Sequence, residues 1–297
     1  MAQPTRLDNI SYYTPGPGYV LTGRDGRVHI PWAGRPPIPL LKEDSPAAEQ
    51  AGGPDYDMVG RGIYQALRLN PECAFAAEYA AVLKEAYPHI VSELGGQIIM
   101  LDAKDVDTPY LDRKINFLRI MSLLDPANAG LHLEIARTYS DRGSRLASLN
   151  LAVPSWYGAE KHLKIALEIG LDDSHARYEY GEALYVLGRY DQAAGVWSEV
   201  MASLDDGEKA RVQSRIAAIL AGKLPLVPPV DYLTALAVAL EHHQAGHNDE
   251  AAAIIEDVLS DLVFPVQFPM NEVYYLLGAI YQEMGMMDDA ARAFKLS

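Results

Sequence analysis

Apolar residues recur at intervals of three and four positions through most of the chain, from residue 55 to the end. Val59, Ile63 and Leu67 show this spacing at the start of that region. Apolar side chains spaced in this way lie on one face of an α-helix. No segment there alternates convincingly with period two, as a half-buried strand would. The pattern predicts about a dozen helices of roughly 12–17 residues each.

The first 54 residues have a different character. Two short β-prone runs, Tyr19–Thr22 and Arg27–Ile30, flank a Gly/Asp turn and predict a hairpin. The prolines of Pro31–Leu41 forbid a helix and favour an extended path. Such a segment is either a flexible tail or an arm laid on another surface, and its aromatic and aliphatic content favours the arm. The sequence therefore predicts an arm over residues 1–54 and a helical domain over residues 55–297.

Within the helical region, two stretches share a layout of small and aromatic residues. In both, a small residue is followed three positions later by Leu or Tyr, a glycine ends the first helix, and an alanine and a large aromatic residue follow at matching offsets. In residues 174–207 these positions are Gly181, Leu184, Gly188, Tyr190, Ala193 and Trp197. In residues 271–297 they are Gly278, Tyr281, Gly285, Met287, Ala290 and Phe294.

This layout resembles the tetratricopeptide repeat, a pair of helices with a period of about 34 residues. The resemblance implies an all-α fold, a right-handed solenoid of helical hairpins carrying an N-terminal extended or β-hairpin arm. Gly188 is expected to supply a left-handed helix C-cap, as is Gly285. Small residues such as Gly181 would let paired helices approach closely, and Trp197 would fill the groove to the next pair.

Other parts of the region fit the repeat less well. Residues 129–173 carry the pattern with an insertion at roughly Ser144–Ser155, and residues 232–262 fit it loosely. Residues 208–222 predict a helix that the 34-residue period does not account for. A proline-rich break, Leu224–Val230, follows this helix. We expect a kink or a change of helix pairing near residues 223–230.

The resemblance also implies a binding surface, because in this family the first helix of each repeat lines a concave groove. Tyrosines suit such a surface, since they bury a large area and keep a polar tip. The alternative is that these tyrosines pack between helices. The groove lacks the lysine and asparagine of the family members that clamp acidic chaperone tails. The positions carried over are His175, Tyr178, Glu182, Tyr185, Leu133, Arg137, Ser140, Glu272, Tyr275 and Gln282.

Charge narrows the class of partner. The chain has 25 Lys and Arg against 40 Asp and Glu, a net charge of −15. Such a field repels nucleic acids and anionic membranes, so we expect neither as a partner, whereas a basic or apolar protein or peptide is compatible. The single cysteine, Cys73, excludes an intramolecular disulfide. Without an apolar run of about 18 residues, the chain is expected to be cytoplasmic.

No arrangement of residues predicts catalysis, a cofactor or a metal. His243 and His247 are four positions apart, but no third ligand has a supportive spacing and no general-base glutamate lies between them. The leading hypothesis is therefore a non-catalytic interaction scaffold or assembly factor. The alternative is a structural subunit of a larger complex, or a self-assembling oligomer that uses the N-terminal arm. An enzyme with a site of dispersed residues would need a deep pocket with converging titratable groups.

Overall fold

A computed structural model describes residues 4–24, 26–102 and 108–297. The chain divides into two compact units, Met1–Leu131 and His132–Ser297. Helices dominate the described residues, which confirms the predicted all-α class. In the first unit the helices are α1 (Ser45–Gln50), α2 (Tyr56–Leu69), α3 (Ala76–Ala86), α4 (His89–Asp102) and α5 (Thr108–Leu124).

Helix α6 (Ala129–Ser144) contains the point at which the chain divides. A six-residue 3-10 helix, Leu146–Leu151, follows it. The remaining helices are α7 (Ala152–Glu168), α8 (Ser174–Val186), α9 (Tyr190–Val200), α10 (Asp206–Leu220), α11 (Pro229–Gln244), α12 (Asn248–Ser260), α13 (Phe264–Gln267), α14 (Asn271–Glu283) and α15 (Met287–Phe294). A second short 3-10 turn, Met201–Ser203, follows α9.

The predicted β-hairpin is present in the N-terminal segment. Strand β2 (Val20–Thr22) pairs antiparallel with β3 (His29–Pro31), with Leu21 opposite Ile30. A second antiparallel pair joins β1 (Ile10–Tyr13) to β4 (Ile38–Leu41). The proline-rich segment is thus extended, as its prolines predict, and it is held as a strand.

Strand β4 packs against α2 of the same unit. The contact is made possible by Gly62, because a Cβ atom built there would overlap the carbonyl oxygen of Pro39 and lie 2.7 Å from its carbonyl carbon. Ile38 and Leu40 of the strand are fully buried, as is Ile63 of α2. The N-terminal segment therefore lies on this chain's own helix.

Three helical hairpins in the second unit share one turn. The hairpins α8–α9, α11–α12 and α14–α15 are each joined by three residues, with a glycine in the middle. Gly188, Gly246 and Gly285 have φ values of 76°, 80° and 78°, the left-handed region in which glycine is favoured. In each turn the glycine N–H and the next N–H donate to carbonyls three and five residues back, a Schellman motif. The loosely matching residues 232–262 thus form the same hairpin as the two clear copies.

Close approach within the hairpins depends on small residues, as predicted. A Cβ atom on Gly181 would overlap the Trp197 ring, and one on Gly278 would lie 2.7 Å from the Phe294 ring. Trp197 is fully buried, and its Nε1 donates to the carbonyl of Tyr178 at 3.2 Å. The ring packs on the partner helix of its own hairpin, and the Arg215 guanidinium of α10 lies 5.8 Å from its centroid, so a role in filling the groove to the next helix pair stays a prediction.

Two buried histidines face each other in the second unit. Nδ1 of His132 on α6 lies 2.9 Å from Nδ1 of His162 on α7, and the two rings stack with centroids 5.2 Å apart. Burial lowers the pKa of His132, and the charge of Lys161 lowers it further. A hydrogen bond between the two Nδ1 atoms needs one donor and one acceptor, so a second proton would set two N–H groups against each other.

Because of this histidine pair, we expect the folding stability of the second unit to decrease as the pH falls. The pKa of His132 is lower in the folded chain than its ordinary value of 6.5. As the pH falls below 6.5, the unfolded chain therefore takes up a proton on this histidine before the folded chain does. The contribution of His132 to the free energy of unfolding is therefore complete above pH 6.5, and it is lost as the pH falls towards the pKa of the folded chain. Thermal unfolding at pH 7.5 and 5.0 should show a larger loss for the wild type than for His132→Gln. Equal losses would contradict this assignment.

Candidate peptide-binding groove

A groove of about 830 Å³ lies within the second unit, between the 3-10 helix, α11 and the start of α14. We call it the α11 groove. Its walls are mainly aliphatic, and its rim carries polar and charged side chains. The apolar wall consists of Leu146, Leu149, Leu233, Leu236, Leu240, Met270 and Val273. The other lining residues are Asp141, Ser144, Arg145, Ala147, Pro269, Asn271 and Glu272.

The α11 wall follows directly from helical spacing. Leu233, Leu236 and Leu240 are separated by three and four positions, so they lie on one face of the helix. The helix begins at Pro229, whose fixed φ suits the first turn and whose missing N–H is not needed there. The groove therefore has a straight wall about two helical turns long.

The opposite wall is the segment inserted between α6 and α7. Ser148 is buried, and its hydroxyl donates to the carbonyl of Arg142 at 2.7 Å. This bond fixes the 3-10 helix to the end of α6, and the 3-10 helix packs in turn on α11. Leu146 and Leu149 are thereby held against α11. A second cleft of about 130 Å³ shares these leucines and continues along α11 to Glu241 and Gln244.

Charge on the rim of the α11 groove is mostly negative. Arg145 donates to both carboxylate oxygens of Asp141, each at 2.8 Å, so these two charges compensate each other. Glu272 lines the groove and Glu241 lines its continuation, and both are exposed. A ligand with an apolar face and positive charges beside it would match this surface.

The face of α8 that the repeat predicts as binding surface is covered by α10. His175 on α8 lies between two carboxylates, 3.3 Å from Glu179 and 3.2 Å from Glu208 of α10. Glu208 also closes a capping box with Asp205, which fixes the start of α10. Helix α10, which the repeat period does not account for, thus contacts α8 on the side that carries His175, Glu182 and Tyr185.

Both tyrosines on this face of α8 are interior. Tyr178 is 8% exposed and Tyr185 is 0% exposed, so these two side chains pack between helices. Burial raises the pKa of Tyr178 to about 12 and also raises that of Tyr185, so both hydroxyls stay neutral. The Tyr185 hydroxyl donates to Gln267. Partner binding by this face of α8 stays a prediction. A partner could reach the face only if α10 moved away from it.

Arg215 of α10 ties the covering helix to α8. It is buried, and its Nη1 lies 2.7 and 2.6 Å from the two carboxylate oxygens of Glu182. Its guanidinium also stacks over the rings of Tyr185 and Phe268, 4.8 and 5.4 Å from their centroids. Glu182, a predicted groove residue, is therefore engaged within the chain.

The remaining predicted residues are scattered. Leu133 is buried, Ser140 is half-buried, and Arg137 donates to both carboxylate oxygens of Glu179. On α14, Tyr275 is 63% exposed and rests against Phe294, and Gln282 is exposed. Glu272 is the predicted residue that lines the α11 groove. Binding roles for these residues stay predictions.

Sequence reasoning missed most of the α11 groove. Its leucines on the 3-10 helix belong to the insertion near Ser144–Ser155, which in the sequence is visible only as a departure from the repeat. Leu233, Leu236 and Leu240 show ordinary helical spacing, which cannot distinguish a groove wall from a core face. The usable signal was the insertion itself, since an apolar segment inserted between two repeat helices must pack on a neighbour.

The described residues hold no group of three or more His, Cys, Asp or Glu side chains arranged to bind a metal. Cys73 is buried. Across the same residues, none of the helices combines the length and the apolar character that crossing a bilayer requires.

Comparison with known proteins gives limited similarity. No protein-family model matches the sequence, and no curated protein matches it. Among solved structures, one crystal structure of MamA protein is 17% identical, with a TM-score of 0.31, over 70% of this chain and 90% of that chain. A second MamA crystal structure is 19% identical, with a TM-score of 0.27, over 63% and 86%. At these values the similarity does not extend to function or to a binding mode.

Proposed function

We propose that this protein is a non-catalytic interaction module that binds a partner protein through an apolar helical segment with basic flanks. The α11 groove supports the proposal best, because it combines an aliphatic wall at helical spacing with a negative rim. An amphipathic helix laid in such a groove would bury its apolar face on Leu146 and Leu240, which are partly exposed. Its lysines or arginines would face Glu272 and Glu241.

Burial and charge would play different parts in this binding. Apolar contact provides most of the affinity, since burying one leucine side chain contributes about 1.5–3 kcal/mol. The exposed carboxylates contribute mainly selectivity and association rate, because exposed charges are well solvated. The rim would therefore reject acidic helices with the same apolar face.

A designed peptide tests the proposal on the full chain. The basic probe is a fluorescein-labelled helix of about 14 residues, roughly 20 Å long, with one leucine face and lysines elsewhere. We expect fluorescence anisotropy to show binding to the wild type that weakens at least tenfold in Leu240→Glu, which places a charge on the apolar wall. Glu272→Lys, at an exposed position, should weaken it about threefold or more.

The matched control is Ile99→Glu on α4, at an exposed aliphatic residue outside the groove. It should bind the basic probe like the wild type. Circular dichroism establishes that each variant is folded. Unchanged affinity in both Leu240→Glu and Glu272→Lys would remove the α11 groove as the binding surface.

A further inference from the structure

A separate cleft of about 520 Å³, distinct from the α11 groove and its continuation, lies between α10 and the segment Leu262–Gln267. We call it the α10 cleft. On the α10 side its floor is made of small residues one turn apart, Ala210, Ser214 and Ala218. A floor of small side chains lets another backbone approach closely. The opposite wall carries Leu262 and Val266.

The wall of the cleft and the segments at and after the end of α10 carry the four most exposed large aliphatic side chains of the described residues. Leu262 is 89% exposed, Val266 84%, Leu226 84% and Leu220 82%. Leu226 belongs to the segment between α10 and α11, and Leu220 ends α10. Exposed apolar side chains that line one cleft, as Leu262 and Val266 do, mark an interaction site.

Asp261 holds the segments that carry these side chains. Its carboxylate accepts hydrogen bonds from the backbone N–H groups of Leu226, Val263 and Phe264, at 2.7–2.9 Å, and from the Tyr232 hydroxyl at 2.7 Å. Leu226 and Leu262 are therefore presented by backbone that a buried carboxylate fixes. A fixed surface loses little entropy when a partner binds.

Two cations lie at the α10 cleft. Arg211 is in the first half of α10, and Lys223 follows the end of that helix. From Arg211 to Leu220 the helix rises about 14 Å, so the two charges mark opposite ends of the cleft. Both are exposed, and neither forms an ion pair with a carboxylate in the part of the chain that the structure describes. Arg215, the third cation there, is paired with Glu182.

We infer that the α10 cleft binds an acidic amphipathic helix of another protein. The apolar face of that helix would cover Leu262 and Val266, and carboxylates near its two ends would pair with Arg211 and Lys223. The charge preference is opposite to that proposed for the α11 groove. The two surfaces share no lining residue, so one chain could hold two partners of opposite charge.

The test uses the full chain and an acidic probe, a fluorescein-labelled helix of about 14 residues with a leucine face and glutamates elsewhere. We expect the wild type to bind it, with affinity falling at least tenfold in Arg211→Glu/Lys223→Glu and in Leu262→Ser/Val266→Ser. All four side chains are exposed, so the variants should fold, which circular dichroism checks. Lys295→Glu, an exposed lysine on the last turn of the chain, is the matched control and should bind like the wild type.

Three results would overturn the inference. The first is no binding of the acidic probe to the wild type, and the second is equal binding to Arg211→Glu/Lys223→Glu. The third is a wild type that self-associates in light scattering and becomes monomeric in Leu262→Ser/Val266→Ser, with no competition from the acidic probe. That result would make the cleft an interface between copies. Glu272→Lys should not change acidic-probe affinity, so failure here is distinguishable from failure at the α11 groove.

Discussion

Replacing Gly62 by alanine is expected to destabilise the first unit by at least about 2 kcal/mol. In an open helix this change would stabilise by about 1 kcal/mol, because alanine is the better helix former. Here the added Cβ atom would overlap the carbonyl oxygen of Pro39, a backbone atom that cannot rotate away. Overpacking costs about 3 kcal/mol or more in severe cases such as this one. The clash therefore outweighs the gain of about 1 kcal/mol from helix preference. Thermal unfolding measures the loss, and hydrogen exchange should localise it to α2 and β4.

Gly95→Ala on α4 provides the control. A Cβ atom there meets nothing within 4 Å, so the helix preference acts alone and a gain of up to about 1 kcal/mol is expected. If Gly62→Ala were as stable as Gly95→Ala, strand β4 would not pack on α2 as described.

Replacing Arg215 by alanine is expected to cost the second unit about 3 kcal/mol. Removing one partner of a buried ion pair typically costs about 3–5 kcal/mol, because the other charge is left without its partner. Glu182 keeps a quarter of its side chain exposed, so the lower end of that range applies. The stacked contacts with Tyr185 and Phe268 would be lost too. Chemical denaturation followed by tryptophan fluorescence reports the change through Trp197.

Arg211→Ala, one turn earlier on the same helix, should change stability by no more than about 0.5 kcal/mol because its side chain is exposed. Adding Glu182→Ala to Arg215→Ala should recover part of the loss, since no unpaired carboxylate remains. Equal stability of Arg211→Ala and Arg215→Ala would show that α10 is not anchored through this pair.

Much of the helical architecture could be predicted because its signals are local. Gly188 and Gly285 predict turns with positive φ, and the structure has them. Gly246 marks the same turn in a stretch whose helices match the repeat poorly. A turn depends on the conformation of one or two residues, so it can be recognised when the surrounding helices have diverged.

The candidate site was less predictable because it depends on contacts between distant residues. Asp205 and Glu208 form a capping box that starts α10, but they do not show which surface the helix covers. The contact between Arg215 and Glu182 joins residues 33 positions apart, and residue type does not reveal it. Tyr185 suits an exposed recognition surface as well as a buried one, so its burial could not be predicted from its identity.

The covering of α8 by α10 also bears on which residues of the chain can be substituted independently of one another. Glu182 and Arg215 depend on each other, because a substitution at either would leave the other without its partner inside the same molecule. The exposed Glu272 lines the α11 groove and has no such tie to Arg215, so a substitution there would leave that pair intact. A helix that covers one surface therefore ties the residues of that surface to each other, and exposed residues on other surfaces can be substituted without breaking those contacts.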